Sequence, residues 1–311
     1  KLSHKMFIKN NSFDLTLPSS RISTLINKLN KVSKKKDESI LIKDLNFQKF
    51  IISTKKKLKK NKLGILLRFG HKKKLNPSAV ILISKAIIDL LGKNIVQDDK
   101  GSKLIFVYDR DRKLSINSGD RYHQTREGGS IHTDNVNLKN KWDFLLLSCV
   151  ASGEVGGDSI LVSGKKIYNI LKNKHKLALK ILKKNFLWER RGIAETFYKS
   201  PIVKINKKKD PEFRYLRPYM IAAHQKMKKP LGPNQLYALD VLDSLLENPD
   251  NQMRFKLIPG DILLTRDSQV LHGRTSFSDF LKNRDVFSKK NKNLPFKRTM
   301  IRAWIKDSKS L

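Results

Sequence analysis

The sequence predicts a mainly β fold of the α+β class, a β-sandwich or jelly roll with helices flanking it and inserted into it. Three observations predict this. From about residue 103 the chain breaks into short apolar runs of strand length. Sharp Gly- and Pro-containing turns separate those runs, and two amphipathic helical stretches interrupt the series. With 311 residues, 39% of them hydrophobic, and 15 Phe, 7 Tyr and 3 Trp, the chain has ample material for a buried core in one large domain or two small ones.

Residues 1–98 are expected to form a basic flank packing on a core that spans 99–311. The flank is no disordered tail, because 40–42 and 64–69 are apolar enough to pack. Asn76-Pro77 precedes Val80, Ile81, Ile83, Ile87, Leu90 and Leu91, and Gly92 follows them. That order spells a helix with a cap, a proline at its first position and a glycine stop. Strands are expected at 104–108, 144–150, 159–162, 255–258, 262–265, 269–271 and 299–305. Gly128-Gly129, Gly156-Gly157 and Pro259-Gly260-Asp261 mark turns between them. One inserted helix is expected near 165–184. A second is expected near 234–247, after Pro233, with Leu236, Leu239, Leu242 and Leu246 at helical spacing.

The net charge is +38, from 66 Lys+Arg against 28 Asp+Glu. Residues 1–75 alone hold 19 Lys and 2 Arg against 4 acids. Yet 50 of the 66 basic residues are Lys, spread along most of the chain with abundant Asn and Ile. That distribution reads as a solvated basic surface more than as a nucleic-acid groove, which would cluster its charge and favour Arg forks. A single cysteine, Cys149, excludes an intramolecular disulfide framework and an all-cysteine zinc site. No apolar run approaches the ~20 residues of a membrane span and no signal-peptide pattern is visible, so a cytoplasmic location is expected. His71, His175 and Cys149 read as structural or solvated.

The first chemical signal is Gly128-Gly129-Ser130-Ile131-His132-Thr133-Asp134-Asn135. In an extended chain residues i and i+2 share a face, so His132 and Asp134 present an imidazole and a carboxylate side by side. A histidine from another strand would complete the facial triad that holds ferrous iron and leaves open positions opposite. By itself His-x-Asp is common and weak.

Its company is more specific. Gly156-Gly157-Asp158-Ser159, Pro259-Gly260-Asp261, His272-Gly273-Arg274-Thr275 and Arg298-Thr299-Met300-Ile301-Arg302 follow in order. With these motifs the chain resembles, over roughly residues 100–306, the iron(II)- and 2-oxoglutarate-dependent dioxygenases of the taurine dioxygenase and clavaminate synthase type. The resemblance implies a double-stranded β-helix (jelly roll) core and one catalytic domain over 1–311. It implies His132, Asp134 and His272 as iron ligands. It places Arg298 and Ser159 on the distal carboxylate of 2-oxoglutarate and Arg302 at the anionic end of a substrate, with no catalytic residue beyond the metal centre. The reaction implied is hydroxylation of a small anionic or amino-acid-like metabolite by dioxygen, releasing succinate and carbon dioxide.

The segment before the metal motif, Arg121-Tyr122-His123-Gln124-Thr125-Arg126, offers His123 and Arg126 to the substrate. Asp134 fills the position that related halogenases leave open for chloride, which argues for oxygenation. The 25 residues between His272 and Arg298 predict a long loop, rich in Lys and Asn over 282–297. The competing class is a nucleic-acid-directed oxygenase or a basic nucleic-acid-binding protein. It lacks support from aromatic-basic interleaving or a zinc motif.

Overall fold

In the strand Asp261–Thr265, Leu263 packs between two sheets, whereas Ile262 and Leu264 pack against helices on the other side. A strand with water on neither face has no polar side to show, so it reads as a near-continuous apolar run. The computed structural model describes residues 13–31, 38–60, 63–70, 73–110, 126, 128–136, 138–139, 141–190, 194–279, 283–286, 288 and 295–308.

Two facing sheets organise these residues. Their strands are β1 Phe13–Thr16, β2 Gly64–Arg68, β3 Gly92–Asn94, β4 Ile105–Val107, β5 Gly129–His132 and β6 Phe144–Ala151. They continue with β7 Ser159–Ser163, β8 Gln252–Phe255, β9 Asp261–Thr265, β10 Val270–Arg274 and β11 Thr299–Asp307. The larger sheet runs β1-β2-β9-β6-β11-β3, with β4 also on β11, and only β1–β2 is parallel. The smaller runs β8-β7-β10-β5, antiparallel throughout. Leu66, Cys149 and Met300 from the larger sheet meet Leu161, Phe255 and Val270 from the smaller. This is the sandwich interior of a jelly roll.

Helices α1 Ser20–Lys31, α2 Ser39–Lys43, α3 Leu45–Lys60 and α4 Pro77–Leu91 cover the outer face of the larger sheet. Asn76 caps α4 as expected, its side chain accepting from Ala79 N at 2.8 Å. The expected flank is woven into the fold: β1, β2 and β3 are strands of the larger sheet itself. An apolar run such as 64–68 can be buried only if neighbouring strands satisfy its backbone, and β1 and β9 do so.

The smaller sheet is covered by α5 Gly164–Lys174, α6 Lys176–Leu182, α7 Arg217–Lys226 and α8 Pro233–Glu247. Two small hairpins lie between α6 and α7. The helix expected over 165–184 is two helices, because His175 leaves helical geometry at φ −133°, ψ 53°. The strand expected at 255–258 lies at Gln252–Phe255 instead. Leu257 and Ile258 lead into a turn that Asp261 closes by accepting from Ile258 N at 3.1 Å.

Cys149 is buried on β6, and burial pushes its thiol up to about 12. His175 is half-buried at the α5–α6 junction, and His71 lies outside the described residues. Of the loop over 282–297, the described ends meet: Arg284 N donates to Pro295 O at 2.9 Å, and the Arg284 guanidinium stacks 4.1 Å from the Phe296 ring. Among the described residues no helix is long and apolar enough to cross a membrane.

Candidate active site

Strands β5 and β10 run side by side, and their register sets His132 directly opposite His272, the imidazole centroids 4.5 Å apart. β5 ends at His132, and Asp134 opens a single 3-10 turn. The sequence expectation of one continuous extended segment is therefore corrected. A turn, not strand alternation, brings the carboxylate round. Thr133 fixes that turn by donating its N–H to Tyr215 O at 2.8 Å. The ligating atoms of His132, Asp134 and His272 all lie within 4.8 Å of one another.

Each of the three is held in the form a metal needs. The Ser130 carbonyl accepts from His132 Nδ1 at 2.7 Å, which leaves Nε2 facing Asp134. Burial lowers the pKa of His132, and burial together with the neighbouring imidazole takes His272 down to about 3, so both rings are neutral. Burial alone would raise Asp134. The Arg302 guanidinium, both imidazoles and the Trp304 indole hold it well below the usual carboxylate range. Arg302 Nη1 donates to Asp134 Oδ1 at 3.2 Å and Trp304 Nε1 to Oδ2 at 3.0 Å. Two neutral imidazoles and one carboxylate anion, converging and buried, are a donor set that fits ferrous iron.

A cavity of about 70 Å³ opens beside the triad, walled by Ser159, Arg274, Arg298, Met300 and Arg302. Arg298 is buried, its guanidinium 4.8 Å from the Phe277 ring and its backbone N–H donated to Asp279 at 2.9 Å. Gly157 makes room for it. At φ +73° the position disfavours any side chain, and a Cβ there would stand 2.8 Å from Arg298 Nε. Ser159 on β7 pairs with Arg274 on β10, on the same side of the cavity.

Six of the predicted site residues thus come together: His132, Asp134, His272, Ser159, Arg298 and Arg302. Arg302 also donates Nε to Gln97 at 2.9 Å, and its buried Nη2 has no partner among the described residues. Arg126 is not part of this cavity; its side chain is largely exposed and pairs with Asp109 at 3.0 Å. Its carbonyl does accept from Arg274 Nη1, tying the segment before β5 to β10. His123 lies outside the described residues.

Sequence reasoning assigned nothing to Trp304, Gln97 or Asp267. Trp304 was within reach, because it follows Arg302 by two on β11 and therefore shares its face. Asp267 accepts the Asp134 backbone N–H at 2.9 Å from a separate turn, and no local pattern announces it.

Residues 74–290 match the family described as Taurine catabolism dioxygenase TauD, TfdA family. FR-33289 synthase of Streptomyces rubellomurinus is 23% identical over 193 residues, 61% of this chain and 55% of that protein. The chain spans about half the length of the curated relatives it matches. Among solved structures, an asparagine oxygenase in complex with Fe(II), 2S,3S-3-hydroxyasparagine and succinate superimposes with a TM-score of 0.63. It is 13% identical, covering 96% of this chain and 94% of the other. The non-heme iron oxygenase OrfP, in complex with Fe and alpha-ketoglutaric acid, gives 0.60 at 13% identity over 94% of each chain.

Proposed function

The chain belongs to the TauD, TfdA family of taurine catabolism dioxygenases, and from that membership we propose that it is an iron(II)- and 2-oxoglutarate-dependent oxygenase hydroxylating a small amino-acid-like or anionic metabolite. The observation that carries this reading is the convergence of His132, Asp134 and His272 beside a buried Arg298. Two neighbours in fold hold succinate together with a hydroxylated amino acid, which supports an amino-acid-like substrate here.

His132, Asp134 and His272 hold the iron in this proposal. When bound, iron and 2-oxoglutarate supply oxidative decarboxylation and oxidation of an unactivated C–H bond, with release of succinate and carbon dioxide. The chain's own residues bind, orient and exclude water. Arg298 presents a planar fork to the distal carboxylate of 2-oxoglutarate, and Ser159 adds a hydroxyl from β7 of the smaller sheet. Phe277 covers one face of that guanidinium and keeps it desolvated, which strengthens a charge-assisted bond. Arg302 offers its unpartnered Nη2 to an anionic group of the substrate.

The test is succinate release from 2-oxoglutarate by the chain with Fe(II) and ascorbate, alongside direct iron binding. One Fe(II) per chain is expected, lost in His132→Ala and in His272→Ala. Iron binding unchanged in both variants would sink the assignment of the triad.

A further inference from the structure

A second cavity, of about 390 Å³, lies outside the space between the sheets, where β5, α7 and α8 meet. Its volume falls within the range of small-molecule sites. Ser130 and Ile131 line it from β5, Ile221 from α7, and Asp243, Leu246 and Glu247 from α8.

The charges on its wall do not balance. Asp243 accepts from the Tyr215 phenol with Oδ1 and from Arg217 Nη1, at 2.5 Å, with Oδ2. Arg217 Nη2 is given to Asp240 at 2.7 Å, so this one cation is already shared between two carboxylates. Glu247, one turn beyond Asp243 on the same face of α8, adds a second carboxylate to the wall at an exposed position. On the wall itself two acids face one arginine, a balance of −1, and that arginine is further shared with Asp240 just outside.

The surrounding sequence keeps it so. Residues 230–253 contain Asp240, Asp243, Glu247 and Asp250 and not one Lys or Arg, where the chain's average density would place about five. In a chain of net charge +38, this is a stretch from which basic residues are missing over the whole length of one helix and the turn after it.

We propose that this cavity binds a small organic cation through its ammonium or guanidinium group. Glu247 and Asp243 are the counter-charges, and Ile221 and Leu246 hold the aliphatic part. The site touches the metal-bearing strand from behind. Tyr215 exchanges two bonds with Thr133, N–H to carbonyl at 2.8 Å and N–H to Oγ1 at 3.0 Å, and Thr133 stands between His132 and Asp134. The inference does not depend on the metal assignment.

The experiment is calorimetric titration of the metal-free full chain with agmatine and with putrescine. Neither probe carries an anionic group, and a protein of +38 repels both, so saturable binding reports a local site rather than the overall field. One-to-one binding is expected in the wild type. Because Asp243 also anchors Tyr215 and Arg217, Asp243→Asn endangers the fold, and Glu247→Gln at an exposed position is the decisive variant. It should weaken binding by about tenfold or more, while Asp99→Asn on another surface leaves binding unchanged. No saturable binding of either cation up to about 10 mM, or binding that Glu247→Gln leaves untouched, would overturn the proposal. A second arm repeats the titration with iron and 2-oxoglutarate present. A cation that raises succinate release, and does so less in Glu247→Gln, is a substrate reaching into this cavity, and one that binds through Glu247 without raising it occupies this cavity apart from the triad. Either result supports the cation subsite.

Discussion

Asp134 is fixed from three sides by the protein alone: Trp304 on Oδ2, Arg302 on Oδ1 and Asp267 on the backbone N–H. A carboxylate restrained this way meets a cation in one orientation and loses little freedom in binding it. Trp304 is itself fixed by Trp142, stacked at 4.0 Å with the rings 10° from parallel. Trp304→Phe keeps the stack but removes the donor. It should lower Fe(II) or Co(II) affinity by roughly 10–100-fold with the fold intact, and cobalt titration followed by visible absorption measures both the affinity and the changed ligand field. Arg298→Leu should weaken 2-oxoglutarate binding by about 2–4 kcal/mol, since it leaves a buried carboxylate without its fork. If Arg302→Leu shows that loss and Arg298→Leu does not, the two arginines have been assigned in the wrong order. At Cys149, burial pushes the thiol up to about 12, so at pH 8 it stays protonated. A thiol reagent should therefore leave the native chain unmodified and titrate one thiol once denaturant is added.

Helix α4 depends on local chemistry that can be removed one group at a time. Asn76→Ala deletes the acceptor for Ala79 N and should cost about 1 kcal/mol, read as a lower urea midpoint with an unchanged slope. The same locality explains why α4 was legible from sequence: cap, proline and glycine stop all lie within the helix or beside it. His132, Asp134, His272 and Arg298 were legible because their motifs occur in a recognisable order. The break at His175 was not, because the apolar positions of α5 and α6 keep helical spacing across it. The placing of β1 and β2 inside the larger sheet was also out of reach, because the pairing of β2 with β9 joins segments almost two hundred residues apart. Trp304 and Asp267 reach Asp134 across comparable separations, 170 and 133 residues.

At the scale of the molecule the chain is four layers: N-terminal helices, larger sheet, smaller sheet and inserted helices. Around this stack lies a field of +38, while 2-oxoglutarate and succinate are dianions. Attraction of that kind acts over a Debye length and fades as salt shortens it. KM for 2-oxoglutarate should therefore rise several-fold between about 0.05 and about 0.5 M salt, with kcat little changed. A flat KM across that range would show that the lysines serve solubility alone.

The position of β11 carries a consequence for how the chain is made. This strand, at residues 299–307, lies between β6 and β3, flanked on both edges, and it brings Arg302 and Trp304 to Asp134. A ribosome adding about 5–20 residues per second needs roughly 7–30 seconds to pass from the end of β6 to the start of β11. Throughout that interval one edge of Phe144–Ala151, an apolar run, has no partner within its own chain. A nascent chain halted before residue 299 is therefore a body with an open sheet, destined for chaperones or aggregates. Translational stalling in this stretch should yield insoluble polypeptide, with no partly active enzyme among the products.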